Sequence, residues 1–286
     1  MKIKDIIAQK PVTISLEVFP PKQWDKLSES KKTVEELLTF SPDFISVTYG
    51  AAGTTSGYTA EIAEDILRCG GVPLSHLTCV NSTKEKVRAV IADLKANGIE
   101  NILALRGDIP KDAVGSPVGA FHYASELIEL IKSEGEFCIG AACYPEKHPE
   151  SADVESDIAK LKIKADAGAD FLTTQMFFDN NLLFAFQDKC EKAGIHIPII
   201  AGIRPITAVS QIGRSVSLSG CTIPTPFADL AASYAASPED MRRAGIDYAI
   251  TQIRGLLESG QKNIHIYTMN KPQITREVLK GIEDLL

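Results

Sequence analysis

One carboxylate sits inside an apolar run: Ile14-Ser15-Leu16-Glu17-Val18-Phe19, followed at once by Pro20-Pro21. The run reads as a short strand, and the two prolines end it because neither donates a backbone N–H to a ladder. A carboxylate buried in a strand is costly unless it is paired or neutralised. Glu17 at a strand end therefore suits general acid chemistry at the mouth of a barrel, or else points to solvent on an edge strand. Other polar residues recur at comparable places: Thr48, His76, Arg106, Asp108, Tyr144, His148, Gln175, Arg204, His265 and Tyr267. Each alone could be a hydrogen-bonded core or loop residue. Their recurrence at the end of almost every apolar run is the signal.

Two well-separated carboxylates, Glu17 and Asp108, can divide roles, one kept protonated by its surroundings and the other ionised. Arg106, His148 and Lys164 could hold a phosphorylated ligand, since Arg and Lys are common anion partners. Lys164 follows Asp157 by seven residues, two helical turns, so both lie on one face of a helix. The alternative for that pair is a solvated helix face. Neither a Ser-His-Asp or Cys-His arrangement nor H-E-x-x-H occurs, so nucleophilic and zinc hydrolysis are not favoured. The six cysteines include no C-x-x-C pair, which makes them small buried hydrophobes rather than metal ligands.

These residues need a frame. Short apolar runs alternate with amphipathic helical patterns: strands at 14–19, 43–49, 72–80, 101–105, 136–142, 170–176, 197–203 and 262–267, each followed by a helix. Gly70-Gly71 and Gly98 stop two of the helices, and Asn81-Ser82-Thr83 caps the start of the one that Gly98 stops. The stretch 109–121 is rich in Gly and Pro and reads as a long functional loop, while 50–53 ends the second strand. Extra helices at about 208–215, 227–235 and 238–259 interrupt the alternation before the eighth strand. Eight β/α units in 286 residues predict an α/β protein, a single closed (β/α)8 barrel of the TIM type covering 1–286, with extra helices between strands 7 and 8. A doubly wound open sheet would carry a Gly-rich turn after its first strand; here Pro-Pro stands there, and G-x-G-x-x-G and G-x-x-x-x-G-K-[ST] are missing throughout.

With 44% hydrophobic and 23% charged residues and a net charge of −7, the composition is that of a soluble protein without a basic patch for nucleic acid. No apolar run approaches the roughly 20 residues that span a bilayer, and the start lacks a signal peptide's apolar block. A cytoplasmic location is expected.

The motifs E-V-F-P-P (17–21), V-T-Y-G-A (47–51), H-L-T-C (76–79), L-R-G-D (105–108), Y-P-E-K-H-P-E (144–150), K-A-D-A-G-A-D (164–170), T-Q-M-F-F-D (174–179), G-I-R-P (202–205) and H-I-Y-T-M-N (265–270) resemble, in order, those of methylenetetrahydrofolate reductases. The resemblance covers nearly the whole chain. It implies a flavoprotein in which FAD, reduced by NADH or NADPH, passes hydride to 5,10-methylenetetrahydrofolate and yields 5-methyltetrahydrofolate, a step of one-carbon and methionine metabolism. Opening the bridged substrate needs a nitrogen protonated, a task for a carboxylic acid; by family position this is Glu17. Asp108 matches the acid placed between flavin and pterin, where negative charge favours a cationic intermediate.

By the same correspondence, Thr48, His76, Arg106, Gly107, Asp108, Tyr123, Ala124, Tyr144, His148, Asp157 and Lys164 are FAD positions, and Gln175 and Gln211 belong to the folate and nicotinamide site. Lys271 stands where the family often has an Arg that grips the folate's glutamate tail; Lys neutralises a carboxylate without clasping it. Ser215 stands where some members place an aromatic over the stacked ligand. The resemblance also suggests a homo-oligomer. Two rival readings share the fold: a reductase receiving electrons through a partner subunit, and a non-catalytic flavin subunit that only relays them. Glu17, Asp108 and Gln175 argue against the relay, which needs neither acid nor pterin site.

Overall fold

The computed structural model describes residues 1–21, 23–49, 56–108 and 119–286. The turn expected at 50–53 and most of the Gly- and Pro-rich loop, 109–118, lie outside the described residues. Strands β1 (Thr13–Val18), β2 (Phe44–Val47), β3 (Pro73–Thr78), β4 (Asn101–Leu105), β5 (Cys138–Cys143), β6 (Phe171–Thr174), β7 (Ile199–Ile203) and β8 (Asn263–Tyr267) pair in sequence order, and β1 pairs with β8 to close the barrel. Every pairing is parallel. The (β/α)8 reading of the sequence is thus what the chain forms.

Helices follow from local chemistry. A short α1 (Ile3–Gln9) precedes β1, and α2 (Leu27–Leu38), α3 (Ser56–Arg68) and α4 (Lys84–Ala96) follow β1, β2 and β3. Thr83 caps α4 by accepting the Lys86 N–H at 3.2 Å, as its residue type predicts. Gly70 (φ 83°) and Gly98 (φ 74°) carry the chain out of α3 and α4 in the left-handed region that favours glycine. Then come α5 (Ala124–Glu134), α6 (Val154–Asp166) and α7 (Asn180–Lys192). Asp153 caps α6 through the Ser156 N–H at 2.7 Å, and Asp179 caps α7 through the Asn181 N–H at 2.9 Å. Between β7 and β8 lie α8 (Ser210–Ser219), α9 (Thr225–Ser233) and α10 (Pro238–Glu258), the expected extra helices; α11 (Pro272–Lys280) closes the chain.

The period-2 pleat sorts each strand into two faces. Ile14, Leu16, Ile45, Val47, Ile102, Ala104, Ile139, Ala141, Ala201, Ile203, Ile264 and Ile266 pack outward into the large core shared with the helices. The alternate positions fill the barrel. Its base is a separate apolar layer of Phe44, Leu74, Leu103, Cys138, Phe171 and Ile200, sealed by Ile3 of α1. Ile3 is fixed there by its N–H to Asn101 Oδ1 at 2.8 Å.

Above that base the interior turns polar, with Ser15, Ser46, His76, Thr173 and His265 all buried. Gly202 shares this level, and a Cβ there would lie 2.5 Å from the Thr174 carbonyl and 2.7 Å from the Tyr267 ring. Glycine is what lets Tyr267 lie across the barrel and donate to Thr174 O at 2.6 Å. Of the cysteines, Cys79, Cys138, Cys143, Cys190 and Cys221 are buried as expected, while Cys69, just past the end of α3, is exposed.

Candidate active site

Glu17 ends the inward face of β1, and the structure decides against the solvent-facing alternative: its side chain keeps 17% of its surface exposed. Register sets it beside Ser46 of β2 and Tyr267 of β8. Its Oε2 lies 3.9 Å from Nε2 of both His76 and His265. Burial pushes His76 down to about 4, with Glu17 opposing and His265 adding to the shift, so this imidazole is neutral at pH 7. Its Nε2 is buried with no hydrogen-bond partner among the described residues. His265 is anchored through Nδ1, 2.8 Å from Ser15 Oγ. Burial and then Glu17 hold the Tyr267 phenol well above its ordinary value.

The backbone that carries Glu17 is held from the far end of the chain. Thr268 Oγ1 donates to Glu17 O at 2.6 Å. The Asn270 carboxamide accepts the Phe19 N–H at 3.1 Å and donates to Phe19 O at 2.9 Å. Met269 (φ 54°) and Asn270 (φ 53°) turn back in the left-handed region to make this possible. Sequence reading missed Thr268 and Asn270 as site residues. The one available signal was Asn, tolerant of left-handed backbone, three residues past the end of a strand.

On the β2–β6 side the other expected residues form an arc. Thr48 follows β2, His76 lies on β3, and Arg106, Gly107 and Asp108 follow β4. Gly107 (φ 87°) could not carry a side chain, because a Cβ would lie 2.8 Å from Val80 Cγ1. The chain at the end of β3, through Thr78 and Val80, fills the space a side chain would need. Tyr144 packs edge-on against His148, ring centroids 4.7 Å apart. Burial and then Asp108 push the Tyr144 phenol up to about 12, which places the Asp108 charge near that ring. Tyr123, exposed, and Ala124 start α5, where Glu126 reaches back to the N–H groups of His122 at 2.6 Å and Tyr123 at 3.3 Å.

The three groups expected to grip phosphate are not presented as free cations. Arg106 makes a two-pronged pair with Glu150, at 2.6 and 2.7 Å, which raises its pKa and lowers that of Glu150. Lys164 does not lie on a solvated face: its ammonium turns inward to donate to Ala142 O at 2.5 Å, and burial lowers its pKa. Asp157 accepts the His148 N–H at 3.1 Å and the Ser151 hydroxyl at 2.8 Å, so it shapes the loop after β5. His148 Nδ1 in turn accepts the Glu150 N–H at 3.1 Å. Arg106, His148, Glu150 and Asp157 form one connected network.

On the opposite rim, Gln175 Oε1 accepts the Met176 N–H at 2.9 Å. Gln211 is engaged locally, its Oε1 accepting the Thr207 N–H at 2.9 Å. Lys271, exposed, stands at the N-cap position of α11 and lines a shallow cleft with Gln211, Thr207 and Tyr267. Ser215 is fully buried and donates one turn back within α8, to Gln211 O at 2.8 Å.

A partly buried carboxylate 3.9 Å from two imidazoles, set at the C-terminal mouth of a (β/α)8 barrel, stands where barrel enzymes carry their active sites. The family model described as methylenetetrahydrofolate reductase matches residues 2–283, and the chain belongs to that family. It is 34% identical to the 5,10-methylenetetrahydrofolate reductase of Escherichia coli (strain K12) over 268 residues, 93% of this chain and 89% of that protein. Methylenetetrahydrofolate reductase 1 of Schizosaccharomyces pombe is 37% identical over 291 residues, 99% of this chain; the chain spans only 48% of that longer protein. Among solved structures, a Clostridium thermocellum protein described as binding two copies of 5-methyl-5,6,7,8-tetrahydrofolic acid superposes with a TM-score of 0.67, covering 99% of this chain and 98% of that one. At 14% identity it shares the fold.

Proposed function

We propose that this protein reduces 5,10-methylenetetrahydrofolate to 5-methyltetrahydrofolate, with Glu17 as the proton donor. The observation that carries the reading is the inward placement of Glu17, 3.9 Å from two imidazoles, in a chain of this family. The arc from Thr48 through His76, Arg106, Gly107, Tyr123, Ala124, Tyr144 and His148 to Asp157 and Lys164 fits FAD. In its favour are the buried His76 Nε2, unpartnered among the described residues, and the braced loop after β5. Bound there, FAD supplies the hydride.

The protein's own groups do the rest. Glu17 protonates the folate nitrogen whose release opens the bridge, and the apolar base of the barrel keeps water from below. Asp108, whose charge acts on Tyr144, would favour the cationic form of the bound substrate. Gln175, its Oε1 occupied by Met176, offers its Nε2 hydrogens to the pterin. Lys271 neutralises a carboxylate of the glutamate tail at the rim.

One observation favours a second reading of electron supply. Ser215 faces inward within α8, so this position offers no aromatic to stack a nicotinamide over the mouth; that supports electrons arriving through a partner subunit rather than from NADH or NADPH. The test separates the two. Flavin reduced photochemically without oxygen should reoxidise on addition of methylenetetrahydrofolate, and failure to do so ends the reductase reading and leaves the relay. Bleaching by NADH or NADPH selects direct reduction; indifference to both selects the partner.

A further inference from the structure

Arg204 is a charged residue in the barrel mouth for which the reaction above has no use. On β7 and just beyond it, Ile200 joins the basal layer, Gly202 lies against Tyr267, and Arg204 is the next residue on the same inward face. It is only 8% exposed. Arg106, Arg242, Arg254 and Arg276 each meet a carboxylate in the structure, but Arg204 forms no ion pair among the described residues. Its one hydrogen bond is a long contact from Nη1 to Met176 Sδ, 3.8 Å, and thioether sulfur is a weak acceptor. Its Nε–H is buried and has no partner among the described residues.

A guanidinium removed from water without an anion is destabilising, and natural structures rarely leave one so. Burial works against its charge first, and the charge of Arg214 on α8 adds to that. Glu17 attracts it only weakly, and the near neighbours of the Glu17 carboxylate are the two imidazoles. Arg204 is therefore not the counter-ion of Glu17. Two cations on the β7–α8 side, one buried with an open donor edge, meet the requirement for an oxyanion that arrives with a ligand.

We propose that Arg204 is a ligand-binding residue: its guanidinium takes an oxyanion of the molecule that enters the mouth. The chemistry is shared by a carboxylate of the folate's glutamate and a phosphate of a nicotinamide dinucleotide. This rests on the folate reading above only for the choice of probes.

The test measures dissociation constants, from the perturbed flavin spectrum of the holoenzyme, for 5-methyltetrahydrofolate, its glutamate-free and carboxylate-free 5-methyltetrahydropteroyl amide and NADH. Wild type is compared with Arg204→Leu and Arg204→Lys, with flavin content and melting temperature checking the fold. Arg204→Leu should weaken one anionic probe by about 10- to 100-fold, the scale of a charge-assisted hydrogen bond, and Arg204→Lys should restore part of it. Loss confined to 5-methyltetrahydrofolate identifies the carboxylate; loss confined to NADH identifies the phosphate. Inorganic phosphate should compete with that probe in wild type and not in Arg204→Leu. Equal weakening of 5-methyltetrahydrofolate and the glutamate-free compound, or unchanged affinity for all three, overturns the assignment and leaves the folate reading standing. Wild-type protein that binds neither folate compound overturns the folate reading, while the NADH arm still decides Arg204.

Discussion

Asn270 holds both backbone polar groups of Phe19, a residue 251 positions earlier, accepting its N–H at 3.1 Å and donating to its carbonyl at 2.9 Å. With Thr268 bonded to Glu17 O, this clasp ties the end of β8 to the end of β1 and so aims the Glu17 side chain. Asn270→Ala should lose both bonds and disfavour the left-handed backbone, costing about 1–3 kcal/mol of stability. Folate turnover should fall while flavin stays bound. A melting temperature and a folate rate both equal to wild type would show that the clasp does not position the acid.

Glu17→Gln keeps the shape of the side chain and removes the transferable proton. Flavin content and its reduction should survive, and reoxidation by methylenetetrahydrofolate should slow by at least about 100-fold, the usual scale of general acid catalysis. Stopped-flow absorbance of the flavin reads both half-reactions separately. Near-normal reoxidation would place the acid elsewhere.

His76 titrates at about 4 in the folded chain against an ordinary 6.5, chiefly through burial. Between those values the unfolded chain binds the proton and the folded one does not, so stability falls as pH drops from about 6.5 towards 4. The loss levels off below that, after at most about 3 kcal/mol at about 1.4 kcal/mol for each pKa unit. Urea midpoints at pH 7 and pH 5 should differ less in His76→Asn than in wild type. Identical pH dependence in the two proteins would mean that His76 is not held neutral.

Asp157 braces the loop that carries His148 and Glu150, and Lys164 is buried beneath the same strand end. Asp157→Ala and Lys164→Ala should each lower the flavin content of purified protein and speed its loss on dilution. Loss of one buried charged hydrogen-bond partner also predicts about 1–3 kcal/mol lower stability. Unchanged flavin content in both variants would make the pair purely structural.

By itself the sequence determined the barrel and the addresses of its polar residues. Alternating runs of period 2 and period 3.6, capped by Thr83, Asp153 and Asp179, are local signals and need no distant partner. Because the pleat alternates, it also followed that Glu17, His76, Arg204 and His265 could share one lumen. Which partner each would take was not legible. Arg106 could have met a ligand or any nearby acid, and closure of the loop after β5 joins it to Glu150. Lys164 could have faced water, yet its helix packs so that the ammonium reaches Ala142 O. Gln211 turns to Thr207, Asn270 reaches Phe19, and Arg204 is left without an acid. Those choices belong to tertiary structure because a hydrogen bond or ion pair is short-ranged and directional, and barrel closure alone brings β8 against β1, 250 residues away, within reach of one.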